Sequence, residues 1–445
     1  MTSLRTETQA PHELALSDLQ ETWRLLTPDE RSEAFFELPR EEAEDFFLEL
    51  PARDQCELLL GMESAQRRSW MRLLPPDDAA DVLQQAEDPE RSALLALLDD
   101  QTRHEVQALL AYAEDDAGGL MNPRYARVRP DASIDEAVSY LRKQAREVLG
   151  NVYYTYVIDA EQKLVGVASF RELFAAPTDK TVRDIMRTDL VTAREDMDQE
   201  ELSRLFAETN LQAIPVVDHD GHMKGIVTVD DIVDVIQEEA TEDIQKIGGT
   251  EALDAPYLEV SIWQMVKKRV GWLAALFVSE MLTTTAMSRF EAEIARAVVL
   301  AVFVPLIISS GGNSGSQAST LVIRAMALGE VKLRDWWRVI RRELTSGVMM
   351  GAILGSIGFT RVMLWQTLFH SYGTHALVVA TTIAFSVLGV VTWGTLSGSM
   401  LPFLLRRVGL DPASASAPFV ATLVDVTGIV IYFTVASYVL RGTLL

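Results

Sequence analysis

Residues 418–440, PFVATLVDVTGIVIYFTVASYVL, decide the fold: 23 residues hold one charged side chain, Asp425, in an otherwise apolar run. A bilayer core about 30 Å thick needs about 20 such residues to be crossed by a helix. Working back from this stretch, four more runs meet the same test, at 270–288, 297–328, 344–369 and 376–405. The last part of the chain is therefore expected to be a five-helix transmembrane domain spanning 270–445. Its second, third and fourth runs exceed the minimum length, so tilting, kinking or extension beyond the bilayer is expected.

Charge separates this half from the rest. Residues 260–445 hold 15 Lys and Arg against 8 Asp and Glu, which gives +7. Residues 1–259 hold 25 against 56, which gives −31 and accounts for the chain's net −24. The acidic half argues against nucleic acid as a partner, because a phosphate backbone requires a basic surface. One cysteine, Cys56, excludes a disulfide framework within one chain and suits a reducing compartment. The opening MTSLRTETQAPHEL has no apolar run of the kind a signal peptide needs, so the acidic half is expected to stay in the cytosol.

Basic residues give the orientation. Lys267, Lys268 and Arg269 precede the first span. Arg324, Lys332, Arg334, Arg338, Arg341 and Arg342 lie between the second and third, and Arg406 and Arg407 between the fourth and fifth. The other side has Arg289, Arg296, Arg361 and Arg441. Lys and Arg collect on the cytosolic side, so the C-terminus is expected outside a bacterial plasma (inner) membrane.

Two places break the apolar pattern. Residues 305–317, PLIISSGGNSGSQ, combine a proline, three glycines and polar side chains. Pro305 removes a backbone donor and the glycines weaken the helix. Irregular backbone at membrane depth is tolerated only where protein or water satisfies it. Small residues also serve close helix contacts. Coincidence of small and polar groups favours a pore lining, with Asn313 facing an ion path beside Gly312 and Gln317. The second break is Asp425, about two turns inside the last span and with no Lys or Arg in that span before Arg441. A carboxylate at that depth requires a partner or a water-filled cavity. Oxygen ligands suit hard cations, and Mg²⁺ keeps much of its hydration shell. Glu280 is a further acid in the first span, open to an ion pair or a cavity. No His/Cys ligand cluster, nucleophile–base pair or phosphate-binding loop appears, so no enzyme is expected.

In the acidic half, about 17–113 reads as short amphipathic helices punctuated by Leu-Pro and Asp-Pro, as in LPREEAEDFFLELPARDQCELLL and LPPDDAADVLQQAEDPERSALLALL. This is the pattern of a small α-superhelix. From about 120 to 239 an α/β unit occurs twice: ASIDEAVSYL followed by TYVIDAEQKLVGVASFREL, then MDQEELSRLF followed by AIPVVDHDGHMKGIVTVDDIVDV. Each reads helix, strand, turn, strand, helix, and Asp218-His-Asp-Gly221 is a hairpin turn.

The second copy resembles a CBS domain through IPVVD…G…GIVTVDDI, and the first resembles it more weakly through YVID…LVGVASFREL. The resemblance implies a tandem CBS pair, with Thr228 and Asp231 contacting an adenosine nucleotide such as ATP if one binds. PLIISSGGNSGSQAST at 305–320, DPASASAPFVATLVD at 411–425 and EEATEDIQK at 238–246 extend the resemblance to the MgtE family of magnesium channels over nearly the whole chain. That implies a helical domain at 1–119, CBS domains at 120–180 and 181–240, a connecting plug helix at 241–269 and the five-span domain. It also implies a homodimer with the pore on its axis. Gly312, Asn313, Gln317, Asp411 and Asp425 would lie along the ion path. Regulatory Mg²⁺ would be held by Asp230, Asp231, Asp234, Glu238, Glu239, Glu242 and Asp243, with Asp196 and Asp198 weaker candidates, so that cytosolic Mg²⁺ closes the pore. Two other functions compete: transport of Co²⁺ or Mn²⁺, and a membrane-anchored CBS nucleotide sensor that transports nothing.

Overall fold

The structure is a computed structural model that describes residues 16–147, 153–253, 255–441 and 443. The first 14 residues, quoted above as lacking a signal-peptide pattern, lie outside them. The chain divides into two compact units, 1–237 and 238–445, each considered by itself.

The first unit begins with eight short helices: α1 (Leu16–Thr22), α2 (Pro28–Glu37), α3 (Arg40–Glu49), α4 (Ala52–Gly61), α5 (Ser64–Met71), α6 (Pro76–Gln84), α7 (Asp88–Leu95) and α8 (Asp100–Leu109). Proline sets most of the starts, as the sequence pattern implies. Pro39 and Pro51 stand immediately before α3 and α4, and α2, α6 and α7 carry proline in their first turn. Thr27 and Glu30 close a reciprocal cap on α2. No helix is long enough to be stable alone, so packing holds the domain. Its core is aromatic: Trp70 lies 5.1 Å from both Phe35 and Phe47 between ring centroids. Such pairs add about 0.5–1.5 kcal/mol beyond their buried area.

The repeated α/β unit forms two sheets of identical order. β1 (Arg127–Val128), β2 (Tyr154–Ile158) and β3 (Leu164–Ser169) make the first; β4 (Ala193–Arg194), β5 (Ala213–Val217) and β6 (Met223–Thr228) make the second. In each, the short strand runs parallel to the central one and the hairpin partner is antiparallel. Both central strands shift register at the corresponding place, Val157/Ile158 and Val216/Val217. The helices of this pair are α9 (Ala117–Leu120), α10 (Ile134–Glu147), α11 (Phe170–Ala175), α12 (Gln199–Thr209) and α13 (Val229–Ile247). The sequence pattern has two strands per copy; the two-residue strands β1 and β4 are too short to show alternation. Gly221 takes φ +83° in the Asp218 turn, a conformation favoured by glycine. The two hairpin turns bond to each other through Leu164 N–H to the Gly221 carbonyl and Met223 N–H to the Gln162 carbonyl, both 3.1 Å.

In the second unit the helices are α14 (Ile262–Arg289), α15 (Glu291–Arg296), α16 (Val299–Ala327), α17 (Trp336–Phe369), α18 (Ala376–Arg407) and α19 (Ala417–Val439). Five of the described helices are long and apolar enough to cross a membrane: α14, α16, α17, α18 and α19. The connecting helix differs from the segment 241–269: α13 begins at Val229, ends at Ile247, and is followed by turns before α14 starts at Ile262. Gly249, at φ +77°, reverses the chain after α13.

The proline and glycines at 305–317 do not interrupt the span; α16 runs unbroken through Pro305 and all three glycines. The glycines instead admit neighbouring helices. A Cβ on Gly315 would stand 2.8 Å from the Gly394 carbonyl oxygen, and one on Gly394 or Gly398 would collide with the backbone of Gly311 or Gly315. A second small-residue ridge on α17, Gly347, Gly351 and Gly355, meets the α18 backbone at Thr392, Leu388 and Ala384. Close backbone approach is how helices associate without a hydrophobic drive between them. Hydroxyls add bonds across the bundle. Ser314 and Thr395 are 2.6 Å apart, Ser319 donates to the Ala415 carbonyl at 2.9 Å and Tyr432 to that of Leu300 at 2.8 Å.

Candidate ion path and acidic sites

Gly311, Gly315 and Ser314 are buried between helices, which leaves a different face of α16 outward. That face carries Ser309, Asn313, Gln317 and Thr320, all exposed on this chain and spaced three to four residues apart. Asn313 donates its amide to the Ser309 hydroxyl at 3.4 Å. Gly312 lies against Ala421, 3.6 Å from where a Cβ would be, and Gly428 lies 3.0 Å by the same measure from Ile308. Asp425, between Ala421 and Gly428 on α19, is thus level with the 308–312 stretch of α16. Asp425 is half-buried and, among the described residues, has no hydrogen-bonding or cationic partner. The structure brings Gly312, Asn313 and Asp425 to adjoining levels of two packed helices, with Gln317 one turn nearer the α16 C-terminus.

Asp411 stands apart from them. It precedes α19, caps the turn Pro412–Ser414 by accepting from Ala413 N–H at 2.8 Å, and accepts from Lys246 Nζ at 2.7 Å. Lys246 also pairs with Glu242 at 2.5 Å. Burial pulls the Lys246 ammonium down, but these two carboxylates outweigh it and hold it above its usual range. Ile247 packs beside Ile323, Ala413 and Ala415, so the end of α13 is fastened to the loop leading into α19.

The remaining acids divide by environment. Asp196 is exposed and paired with Arg194 at 2.6 Å, whose guanidinium holds it below the usual carboxylate range. Asp198 caps α12, accepting from Glu200 N–H at 2.9 Å. Asp230 and Asp234 are exposed one turn apart on α13; partial burial and Asp230 raise Asp234. Glu238, Glu239, Glu242 and Asp243 follow on the same helix. Asp231 is different: burial pushes its carboxyl up to about 6, with Asp230 and Asp234 adding repulsion, although the Thr228 hydroxyl donates to it at 2.7 Å. The two nucleotide candidates therefore bond each other at the start of α13. Neither lines the groove of about 630 Å³ on the first CBS copy, which is formed by Arg127, Arg129, Asp131, Tyr140 and neighbours.

Asp77 and Asp78, at the start of α6, are functional candidates that sequence reading passes over. Burial raises Asp77 well above its ordinary value, with Asp78 and Asp231 adding to the effect. Asp78 is pushed up to about 6 by burial and by repulsion from Asp231 and Asp230. Asn122 donates to Asp77 at 3.0 Å. In the sequence, Pro76-Asp77-Asp78 reads as an ordinary helix start; nothing in it signals burial against Asp231. Among the described residues no three His, Cys, Asp or Glu side chains converge tightly enough to enclose a metal ion.

A five-helix membrane unit with an unpaired intramembrane carboxylate, joined to a helical domain and a CBS pair, defines a membrane transport protein by class. Family models agree along the chain: the MgtE intracellular N domain matches residues 14–115, CBS domains match 117–179 and 182–238, and the MgtE divalent cation transporter model matches 304–435. The chain is 39% identical over 433 residues to "Magnesium transporter MgtE" of Thermus thermophilus, covering 97% of this chain and 94% of that protein. It is 34% identical over 337 residues to the protein of that name from Enterococcus faecalis, covering 76% and 72%. A crystal structure of the cytosolic domain of the Mg²⁺ channel MgtE in complex with ATP is 40% identical and superposes with a TM-score of 0.46, covering 50% of this chain and 91% of that one. The chain belongs to the MgtE family of magnesium transporters, whose members are membrane proteins and not enzymes.

Proposed function

We propose that the chain carries Mg²⁺ into the cell along a path past Asn313 and Asp425, and that cytosolic Mg²⁺ closes that path. Asp425 carries the reading: it is a half-buried carboxylate at membrane depth with no partner among the described residues. An anion so placed costs several kcal/mol in hydrocarbon and persists where water or a cation meets it. The polar face Ser309–Asn313–Gln317 points the same way, because lipid cannot satisfy amides and hydroxyls. A second copy placed against that face would enclose it, so the working form is a homodimer with the path at its axis. A hydrated ion needs few direct ligands, which suits one carboxylate and amide oxygens.

Closure is assigned to the acidic half. Asp77, Asp78 and Asp231 repel one another when ionised, and Asp230, Asp234, Glu238, Glu239, Glu242 and Asp243 extend that charge along α13. A divalent ion that lowers the repulsion favours the closed arrangement; its loss favours opening. The N-terminal half is cytosolic and the C-terminus outside, on the basic-residue distribution. An adenosine nucleotide at the CBS pair is a second regulatory ligand. Thr228 and Asp231 open α13, where Asp231 meets ribose hydroxyls and helix N–H groups meet phosphate.

The test is ion flux into liposomes holding the full chain, with Mg²⁺, Co²⁺ and Mn²⁺ offered separately and internal Mg²⁺ varied. Mg²⁺ influx that falls as internal Mg²⁺ rises is expected. Preference for Co²⁺ or Mn²⁺ would replace magnesium as cargo, and no flux of any of them would favour a membrane-anchored sensor.

A further inference from the structure

The first span holds a carboxylate, Glu280, that the proposed ion path does not yet use. α14 and α19 touch at both ends. Near the cytosolic side, Trp272 donates to the Ser416 hydroxyl at 3.1 Å and its ring lies 5.9 Å from that of Phe419. Near the other side, Phe290 stacks on Phe433 at 5.1 Å. The two helices therefore run in the same direction between two fixed contacts. Glu280 is 8 residues along the 18 from Trp272 to Phe290, and Asp425 is 6 along the 14 from Phe419 to Phe433. Both fractions are close to 0.4, so the carboxylates share one depth. Both are half-buried, and among the described residues no Lys or Arg pairs with either. One turn outward from Glu280, on the same helix face, the Thr283 hydroxyl is buried without a hydrogen-bond partner.

Two like charges at one membrane depth without a counter-charge are unfavourable unless a cation or water meets both. Resting on the reading of Asp425 as part of the ion path, we propose that Glu280 is a second carboxylate of that path, acting with Asp425 on the divalent ion in transit. An ion that keeps its hydration shell is attracted by charges beyond direct contact, so Glu280 acts through water and needs no bond to the metal. The hydroxyl of Thr283 then serves that shell, which explains a polar group buried with nothing in the chain to bond.

The experiment compares Mg²⁺ influx against external Mg²⁺ for the full chain and for Glu280→Gln, Glu280→Asp and Asp425→Asn in liposomes. Glu280→Gln is expected to raise the half-saturating Mg²⁺ by about tenfold, equivalent to about 1.4 kcal/mol. Glu280→Asp, which restores the charge, should recover most of that change; a packing role would show no such rescue. A carbodiimide that reacts with membrane carboxylates gives a second readout on the unmodified protein, by mass spectrometry of the Glu280 peptide. Excess Mg²⁺ should slow that reaction. If Glu280→Gln does not assemble, the labelling decides: no protection by Mg²⁺ overturns the proposal. An unchanged half-saturating Mg²⁺ in an assembled Glu280→Gln also overturns it. Normal flux in Asp425→Asn would instead bring down the underlying ion-path reading, so the two failures are separable.

Discussion

The two units both bury carboxylates, and they do it in opposite ways. In the soluble unit Asp77, Asp78 and Asp231 crowd together, and the last two are pushed up to about 6. In the membrane unit Asp425 stands beside exposed amides and hydroxyls, with no hydrogen-bonding or cationic partner among the described residues. Crowded acids store repulsion that a cation or proton relieves, which suits a sensor. An acid with a polar approach and no counter-charge attracts a cation without trapping it, which suits a conduit. Net charge follows the same division, −31 before residue 260 and +7 after it.

The comparison can be broken in several places. The largest effect is expected at Asp78. Asp78→Asn removes a carboxylate that burial makes costly to ionise, so the metal-free protein at pH 8 should gain up to about 3 kcal/mol in the soluble unit. Thermal melting of the full chain in detergent measures it, and a loss of stability would contradict the crowding. The pH dependence has the same origin. A carboxyl raised to about 6 binds more protons folded than unfolded, so its contribution to stability falls as pH rises from about 4 through 6. Melting without divalent ions should therefore occur at higher temperature at pH 5 than at pH 8, and Mg²⁺ should narrow the gap. A flat profile would show that Asp78 and Asp231 ionise freely.

In the membrane unit, Gly394→Ala places a methyl against the Gly311 backbone and should cost about 1–3 kcal/mol by overpacking. Melting and assembly in detergent report it; no change would mean that α16 and α18 are less closely apposed. The smallest effect is at Lys246. Its pairs with Asp411 and Glu242 are partly exposed, so Lys246→Met should cost only about 0.2–1 kcal/mol. Faster proteolysis within 248–261 would reveal the loosened end of α13, and unchanged cleavage would show that Ile247 alone holds it.

Much of this arrangement is legible in the sequence, for reasons that differ by region. Five apolar runs fix the membrane unit because hydrocarbon thickness leaves few alternatives. Asp425 and Asn313 stand out because polar groups are rare at that depth. The glycines at 311 and 315 are ambiguous in sequence, where they read either as a weakened helix or as a close helix contact; neighbouring backbones on α18 need the space. Asp77 and Asp78 are hidden for the opposite reason, since acids after a proline are commonplace at helix starts and only tertiary packing buries them. The same holds for Lys246, whose partner Asp411 lies 165 residues away.

Mg²⁺ influx through Asp425→Asn, in liposomes carrying the same amount of assembled protein as wild type, tests the central claim most directly. The account predicts influx at background level for the variant, with helix content and melting unchanged. Influx equal to wild type would contradict it.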